Sequence, residues 1–376
     1  MIRVFDAEAT NFTGLGLGGL PDAISCVVTE DLCGTNWRGG EYALEIEYPI
    51  TGRNYDLLVE ERIICAMPSE RASGWQPFRI YSITRPIGGI VTVKADHISR
   101  ALKKITAREF SISDNISDVF DYLEDFSIPS SLFQFSKTGV NYSAAFSSEN
   151  PRPVFDVLCG NDSILDQYRP NSPECYTFDV WNVTLGERGS DNGVTIAFGK
   201  NMTEIEKTSD MTDTITAYVP YWKDDQQLVR RLSSLGAYDD FVFSRNYQNY
   251  ANIMSAPLDV TSVYNQYKSE TSAVLASAII IYAEQELETV SALPASIMVK
   301  FVNLSNTDQY KDLLNARVVD LGDTVTVRYE ALGINEQQRV IKTKYNVLLN
   351  RYDEIEIGVK QINLAGVIAK IAKRSV

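Results

Sequence analysis

The stretch from Tyr176 to Asn201, YTFDVWNVTLGERGSDNGVTIAFGKN, constrains the fold of this chain more than any other. Phe178 and Val180 alternate with polar residues, and Val183 and Leu185 do the same. The phase changes near Trp181, which predicts a β-bulge there. Gly186 to Gly193 encloses Arg188, Gly189, Asp191 and Asn192 and reads as a sharp polar turn. Val194, Ile196 and Phe198 then alternate again. The pattern predicts a β-hairpin with one row of side chains in a core and the other facing outward. Gly189 and Gly193 are the turn positions expected to need positive φ. The segment offers no evident catalytic group.

A chain of 376 residues favours two or more domains, each with length enough for a core. Its 35 basic and 49 acidic residues leave a formal net charge of −14. That balance argues against tight nucleic-acid binding, which needs a cationic footprint, and suits a surface past which DNA slides. The N-terminal MIRVFDAEAT lacks a basic region followed by an apolar core, so no signal peptide is expected and the chain is expected to fold in a cytoplasm. The longest apolar run, Ala273 to Ala283 with Ser277 inside it, is far short of the roughly 20 residues of a membrane span. Five cysteines, at 26, 33, 65, 159 and 175, contain no CxxC pair and read as buried free thiols.

Strand and helix patterns alternate along the chain. Leu44, Ile46 and Tyr48 alternate with Glu45 and Glu47 up to Pro49, and a second hairpin is expected from Phe78 to Ala95. Ile116, Val119, Phe120, Leu123 and Phe126 fall on one helical face, with Ser113 or Asp114 as the expected cap. A shorter helix is expected at Val154 to Leu158, ended by Gly160. A strand is expected at Thr214 to Val219, and a helix at Ser272 to Ser291 carrying Leu275, Ile279 and Tyr282 on one face. Strands follow around Ile297, Val325, Val340 and Ile355, and the last residues, Gln361 to Val376, suggest a short amphipathic helix. The fold class expected is therefore α+β and β-rich, with two related antiparallel β-barrels and α/β insertions. The first barrel would take 1–105, and a mixed, largely helical domain 106–172 with 223–296. The second barrel would take 173–222 with 297–358, followed by a helical segment at 359–376.

Candidate chemistry is sparse. Gly14-Leu-Gly16-Leu-Gly18-Gly19 satisfies the letter of a dinucleotide motif, but no strand precedes it and Pro21 follows, so it reads as a loop. His97 is the one histidine; beside Asp96 it could be a base with its orienter, and it reads better as a structural residue at a strand end. The pairs Asp224-Asp225 and Asp239-Asp240 fit no calcium loop and read as solvated turns. Trp222, Tyr238, Tyr247, Tyr250, Tyr264 and Tyr267 could stack on sugars, although packing explains them better. No catalytic residue, cofactor or metal ligand is expected from these patterns.

Several segments in order resemble the prophage tail family, the N-terminal modules of tail-associated lysins from long-tailed phages of Gram-positive bacteria. They are Pro21–Ile24, Glu41–Pro49, Gln76–Tyr81, His97–Ser99, the Arg188-Gly189-Ser190-Asp191-Asn192-Gly193-Val194 turn with Gly199-Lys200-Asn201, Leu321–Val325, and Arg339-Val340. The resemblance covers nearly the whole chain. It implies a baseplate-hub fold like that of contractile-tailed phages, and a homotrimer that meets a distal tail protein ring and the tape-measure protein. It also implies DNA passing through the trimer's lumen without specific binding, and contact with a receptor-binding or lytic tail-tip protein. The expected place is the virion tail tip, after assembly in the host cytoplasm. Two departures stand out. Many members continue into a peptidoglycan-cleaving domain, whereas this sequence stops at Val376. Where members carry Tyr-Asp-Leu after the His-Ile-Ser element, this chain has Arg100-Ala101-Leu102. A tail-associated endopeptidase and a host-carbohydrate-binding module remain as alternative functions.

Overall fold

The computed structural model describes residues 2–34, 40–84, 88–112, 115–139, 146–160, 163–165, 174–197, 202–209, 215–290, 295–301 and 319–358. Expectations placed on Phe198, Gly199, Lys200, Asn201 and 359–376 lie outside them. The fold is α+β and β-rich, with curled sheets. Two compact units form, one from Met1–Thr208 with Ser296–Lys360, the other built on Ser209–Ala295.

The first unit is organised by one sheet. Tyr42–Pro49 shows how its strands arise: Tyr42, Leu44, Ile46 and Tyr48 are buried, while Ala43, Glu45 and Glu47 face the other way. Each buried Leu or Ile of this kind contributes roughly 1.5–3 kcal/mol over leaving it in water. Tyr42–Pro49 pairs with Ser25–Asp31 on one side and Ile90–His97 on the other, and Gln76–Thr84 returns from Ile90–His97 as the expected hairpin. Ile63–Ala66, Arg3–Phe5 and Gly18–Gly19 extend that edge. In the other direction Ser25–Asp31 pairs with Ile334–Asn346, placing Asp31 opposite Lys342. Lys342 bridges Asp31 and Glu41, at 3.4 and 3.0 Å. Arg351–Gly358, Ala295–Phe301 and Met202–Ser209 follow outward. The strand sets expected as separate barrels therefore share a sheet, with Ser25–Asp31 and Ile334–Asn346 at the seam. The expected boundary at 105 also falls inside a continuous apolar core, which runs from Leu44 and Phe78 through Ile105, Phe120 and Val157.

The segment at 176–201 folds differently from its sequence reading. Cys175–Asp179 and Asn182–Gly186 form the hairpin, turning at Val180-Trp181. The phase break at Trp181 is thus the turn itself, and Val180 takes a left-handed φ of 53°. The Arg188–Gly193 stretch connects this hairpin to another strand. Asp191–Ala197 runs parallel to Thr324–Tyr329 and never pairs with Asn182–Gly186. A one-residue phase slip looks the same in sequence whether it marks a bulge or a two-residue turn, which is why the alternation misplaced the corner.

The helix at Ile116–Phe126 buries Ile116, Val119, Phe120 and Leu123 as its spacing predicts. Its cap is Asn115, one residue beyond the expected candidates, which lie outside the described residues. The Asn115 side chain accepts from the Ser117 and Asp118 backbone N–H groups, and the Asp118 carboxylate accepts from the Asn115 N–H. Val154–Cys159 forms the second helix, ended at Gly160.

The second unit, expected to be largely helical over 223–296, contains strands as well. Ala217–Lys223 is flanked by Val229–Arg231, Val242–Phe243 and, in parallel, Ser255–Asp259. These partners have two to five residues, too few to show a period. Helices Thr261–Tyr267 and Ser272–Val290 complete the unit. Leu275 and Ile279 enter its core as expected, joined by Ala276, Ala283 and Leu287 around Trp222 and Tyr218. No helix among the described residues is long and apolar enough to cross a membrane.

Asn115→Ala is expected to lower stability by about 1 kcal/mol through loss of the cap. Urea unfolding followed by circular dichroism checks this, and an unchanged midpoint contradicts the capping role.

Candidate functional site

Part of the set that carries the family resemblance, Arg188 to Asp191, Leu321 to Thr324 and Arg339, meets in one place. Leaving the Asn182–Gly186 strand, Arg188 turns inward and donates two hydrogen bonds to Glu30, Nη1 to Oε1 at 2.6 Å and Nη2 to Oε2 at 3.1 Å. Glu30 lies in the Ser25–Asp31 strand in phase with Cys26 and Val28, so it points into the same interior. Burial opposes the charge on the guanidinium, but the facing carboxylate outweighs it and raises the Arg188 pKa further above its ordinary value.

Gly189 follows with φ 84°. A Cβ on it would overlap the Gly322 peptide, and a Cβ on Gly322 (φ 91°) would meet the Arg188 carbonyl. The two backbones pass so closely that neither position accommodates a side chain. The Ser190 N–H donates to Asp323 Oδ1 at 2.8 Å, and Thr324 N–H donates back to the Ser190 carbonyl. Asp323 is buried, and its Oδ2 accepts from Arg71 Nη1 at 2.8 Å and from the Asp320 N–H at 3.0 Å. Arg339 closes the arrangement, with Nε donating to the Gly322 carbonyl at 3.0 Å and Nη2 to the Arg188 carbonyl at 2.7 Å. Asp320 accepts from Ser69 and Tyr352. Asp191 accepts from the Gly193 N–H at 2.8 Å and from Gln337 at 2.7 Å. Gly193 itself has φ 66°.

The structure thus brings together Arg188, Gly189 and Asp191 with Leu321–Thr324 and Arg339. Gly199, Lys200 and Asn201 lie outside the described residues. Sequence reasoning missed Glu30 and Arg71. Glu30 had a legible signal, a carboxylate on the buried phase of an amphipathic strand. Arg71 sits in an irregular segment and had none. The charges balance, with Arg71, Arg188 and Arg339 facing Glu30, Asp320 and Asp323. Chemically the cluster holds backbone segments in register and directs its charged groups at one another.

His97 is buried, as its strand-end reading expected. It stacks on Tyr42 with ring centroids 4.2 Å apart. Its Nδ1 faces Ser99 at 2.9 Å, and its Nε2 lies 3.2 Å from Gln76 Oε1. That same oxygen accepts from the Val180 N–H at the hairpin corner, and Gln76 Nε2 donates to Asp179 at 2.6 Å. Burial, aided by Arg100, pushes the His97 pKa down to about 3. The other candidates also take packing or turn roles. Asp224 accepts from Arg230 and from local backbone, Asp240 accepts from the Ser233 N–H, and Trp222 stacks on Tyr264 inside a core. Among the described residues no group of three or more His, Cys, Asp and Glu could hold a metal ion.

Residues 190–367 match the family model described as prophage endopeptidase tail. Over that part, just under half of its length, the chain is similar to the prophage tail family. Solved structures of tail proteins share the fold of this chain over nearly its whole length. The prophage tail protein gp18 from Listeria monocytogenes is 14% identical, with TM-score 0.54, covering 99% of this chain and 98% of its own. The tail protein from Neisseria meningitidis is 10% identical, with TM-score 0.55 and 97% of both chains covered. The 43 kDa tail protein of prophage MuSo2 from Shewanella oneidensis is 11% identical, with TM-score 0.54, covering 90% of this chain and 94% of its own. No curated protein matches the chain in sequence.

Glu30→Ala leaves Arg188 buried without its partner and is expected to cost about 3 kcal/mol, the low end for a broken buried pair because the Arg188 side chain keeps 20% exposure. The double variant Glu30→Leu with Arg188→Met should recover most of that loss in a denaturation cycle; no recovery contradicts the pairing. Acid provides a second check. Folded His97 stays neutral down to about pH 3, while in the unfolded chain it protonates near 6.5. Stability attributable to His97 is therefore fully present above 6.5 and falls by up to about 1.4 kcal/mol per pH unit between those values. Urea midpoints from pH 7 to 4 should fall less steeply for His97→Gln than for the native chain, and parallel profiles would refute the burial argument.

Proposed function

We infer that this chain is a structural hub at the tip of a phage tail. It assembles as a homotrimer, docks on the distal tail protein ring, contacts the tape-measure protein, closes the tube and opens for DNA to leave. A receptor-binding or lytic tail-tip protein is the further expected neighbour. The carrying observation is that the family-motif residues hold two distant parts of the chain together. Arg188-Gly189-Ser190 and Leu321-Gly322-Asp323 interlock, and both attach to the N-terminal part of the chain, through Glu30 in a strand and Arg71 in an irregular segment. A ring component needs a frame of this kind, whose subunit shape does not yield under load.

A surface feature supports assembly. Neighbouring strand ends gather Ile24, Ile50, Ile90, Leu348 and Leu349 at one end of the sheet, all exposed, Leu349 at 57%. Exposed apolar residues grouped in this way mark a contact surface, in a chain whose net charge of −14 otherwise favours solubility. The charge also fits a lumen lined by acidic or neutral groups, past which DNA moves without sticking.

Mass measurement in solution tests the reading. The expected result is a trimer, alone or with the distal tail ring, weakened when Leu348 and Leu349 are both changed to Lys. A strict monomer in both settings overturns it. The endopeptidase alternative, suggested by the family description, predicts clearing in a cell-wall zymogram by the purified chain; the hub reading predicts none.

A further inference from the structure

Two of the five thiols stand against each other inside the first unit. Cys33 lies in the short strand Cys33–Gly34, which pairs with the hairpin strand at Tyr176. Cys159 is the last residue of the Val154–Cys159 helix. Their sulfur atoms are 2.7 Å apart, and both residues are 2% exposed. Unbonded sulfurs do not ordinarily pack so closely, and a bonded pair sits at about 2.05 Å. Sequence reading expected five buried free thiols, and all five are buried and free in this structure; that two of them stand side by side is what the fold adds. Cys26 shares the core with the pair but lies in the Ser25–Asp31 strand, and Cys65 lies in Ile63–Ala66 within a separate cluster. Cys175 is the nearest competitor, on the strand beside Cys33, but Arg339 Nη2 lies 4.0 Å from its sulfur and engages it.

We propose that Cys33 and Cys159 are a latent disulfide, reduced in the cell that makes the protein and closed once the protein meets an oxidising medium. The sulfur atoms already stand within about 1 Å of bonding distance. A reducing cytoplasm keeps such thiols free, and release of a virion moves them into surroundings where bridges persist. With a small-molecule disulfide as oxidant the step balances. One cysteine thiolate attacks the oxidant, forming a mixed disulfide and releasing one small thiol. The second thiolate attacks the cysteine sulfur of that adduct, forming the Cys33–Cys159 bond and releasing the second small thiol. The two protein protons leave with the released thiols, the two cysteines are oxidised and the reagent is reduced. Burial pushes the Cys159 thiol well above its ordinary pKa, so closure waits on local opening and is slow. A bridge between residues so distant in sequence narrows the unfolded ensemble and raises stability.

The pairing rests on geometry and not on the hub reading, so an oligomer measurement and a thiol count fail independently. The experiment is prolonged exposure of the intact chain to oxidised glutathione, followed by alkylation in denaturant, mass measurement and peptide mapping. The expected result is loss of two of the five alkylatable thiols, loss of two hydrogens in mass, one linked peptide joining Cys33 to Cys159, and a higher melting temperature that dithiothreitol reverses. Cys26→Ser should keep the link, and Cys33→Ser and Cys159→Ser should each abolish it. Should either variant fail to fold, the map of the native chain decides alone. Five free thiols after exposure, a bridge mapped to Cys175, or only glutathione adducts would overturn the proposal.

Discussion

The frame depends on one close approach. Gly189 and Gly322 let two backbone segments pass without intervening side chains, and everything around that crossing is arranged to keep it. Asp323 holds the Ser190 amide, Arg339 holds the carbonyls of Arg188 and Gly322, and Arg188 reaches onward to Glu30. Buried charges are tolerable here because each has a partner of opposite sign and further hydrogen bonds to backbone. Replacing such pairs by apolar residues need not destabilise a protein. What ion pairs add is direction: a guanidinium fork accepts one carboxylate geometry and thereby positions segments distant in sequence against one another.

Legibility in the sequence tracked local periodicity. The strand at Tyr42–Pro49, the hairpin from Gln76 to His97 and the helix at Ile116–Phe126 were readable because each buries one regular face. The corner at Val180-Trp181 was misread because alternation records which face a residue takes and not which strand it pairs with. Parallel pairing of Asp191–Ala197 with Thr324–Tyr329 joins segments with no local signature in common. The motif residues were visible, yet their mutual contact was not. Glu30 was visible in principle, being a charge on an inward phase, and its meaning required knowledge of Arg188.

His97 illustrates how a reactive side chain can serve as architecture. With Nδ1 toward Ser99 and Nε2 toward the Gln76 carbonyl oxygen, the ring is held as the neutral form that donates from Nε2. Gln76 then carries the arrangement to the Cys175–Gly186 hairpin, whose corner it fixes through Val180 and Asp179. The histidine thus helps tie down the corner of the hairpin, upstream of the Arg188 crossing.

The seam between Ser25–Asp31 and Ile334–Asn346 has a consequence for biogenesis. Residue 31 waits for residue 342, so the sheet cannot close until more than three hundred further residues have left the ribosome. Until then the early strand presents an open edge, a template for any extended segment nearby. Contacts this distant slow folding, because loop closure comes before any reward. In a cell producing many copies at once, that open edge can accept the late strand of a neighbouring chain as readily as its own. Exchange of this seam between subunits would build an interlinked oligomer from contacts already present in the monomer.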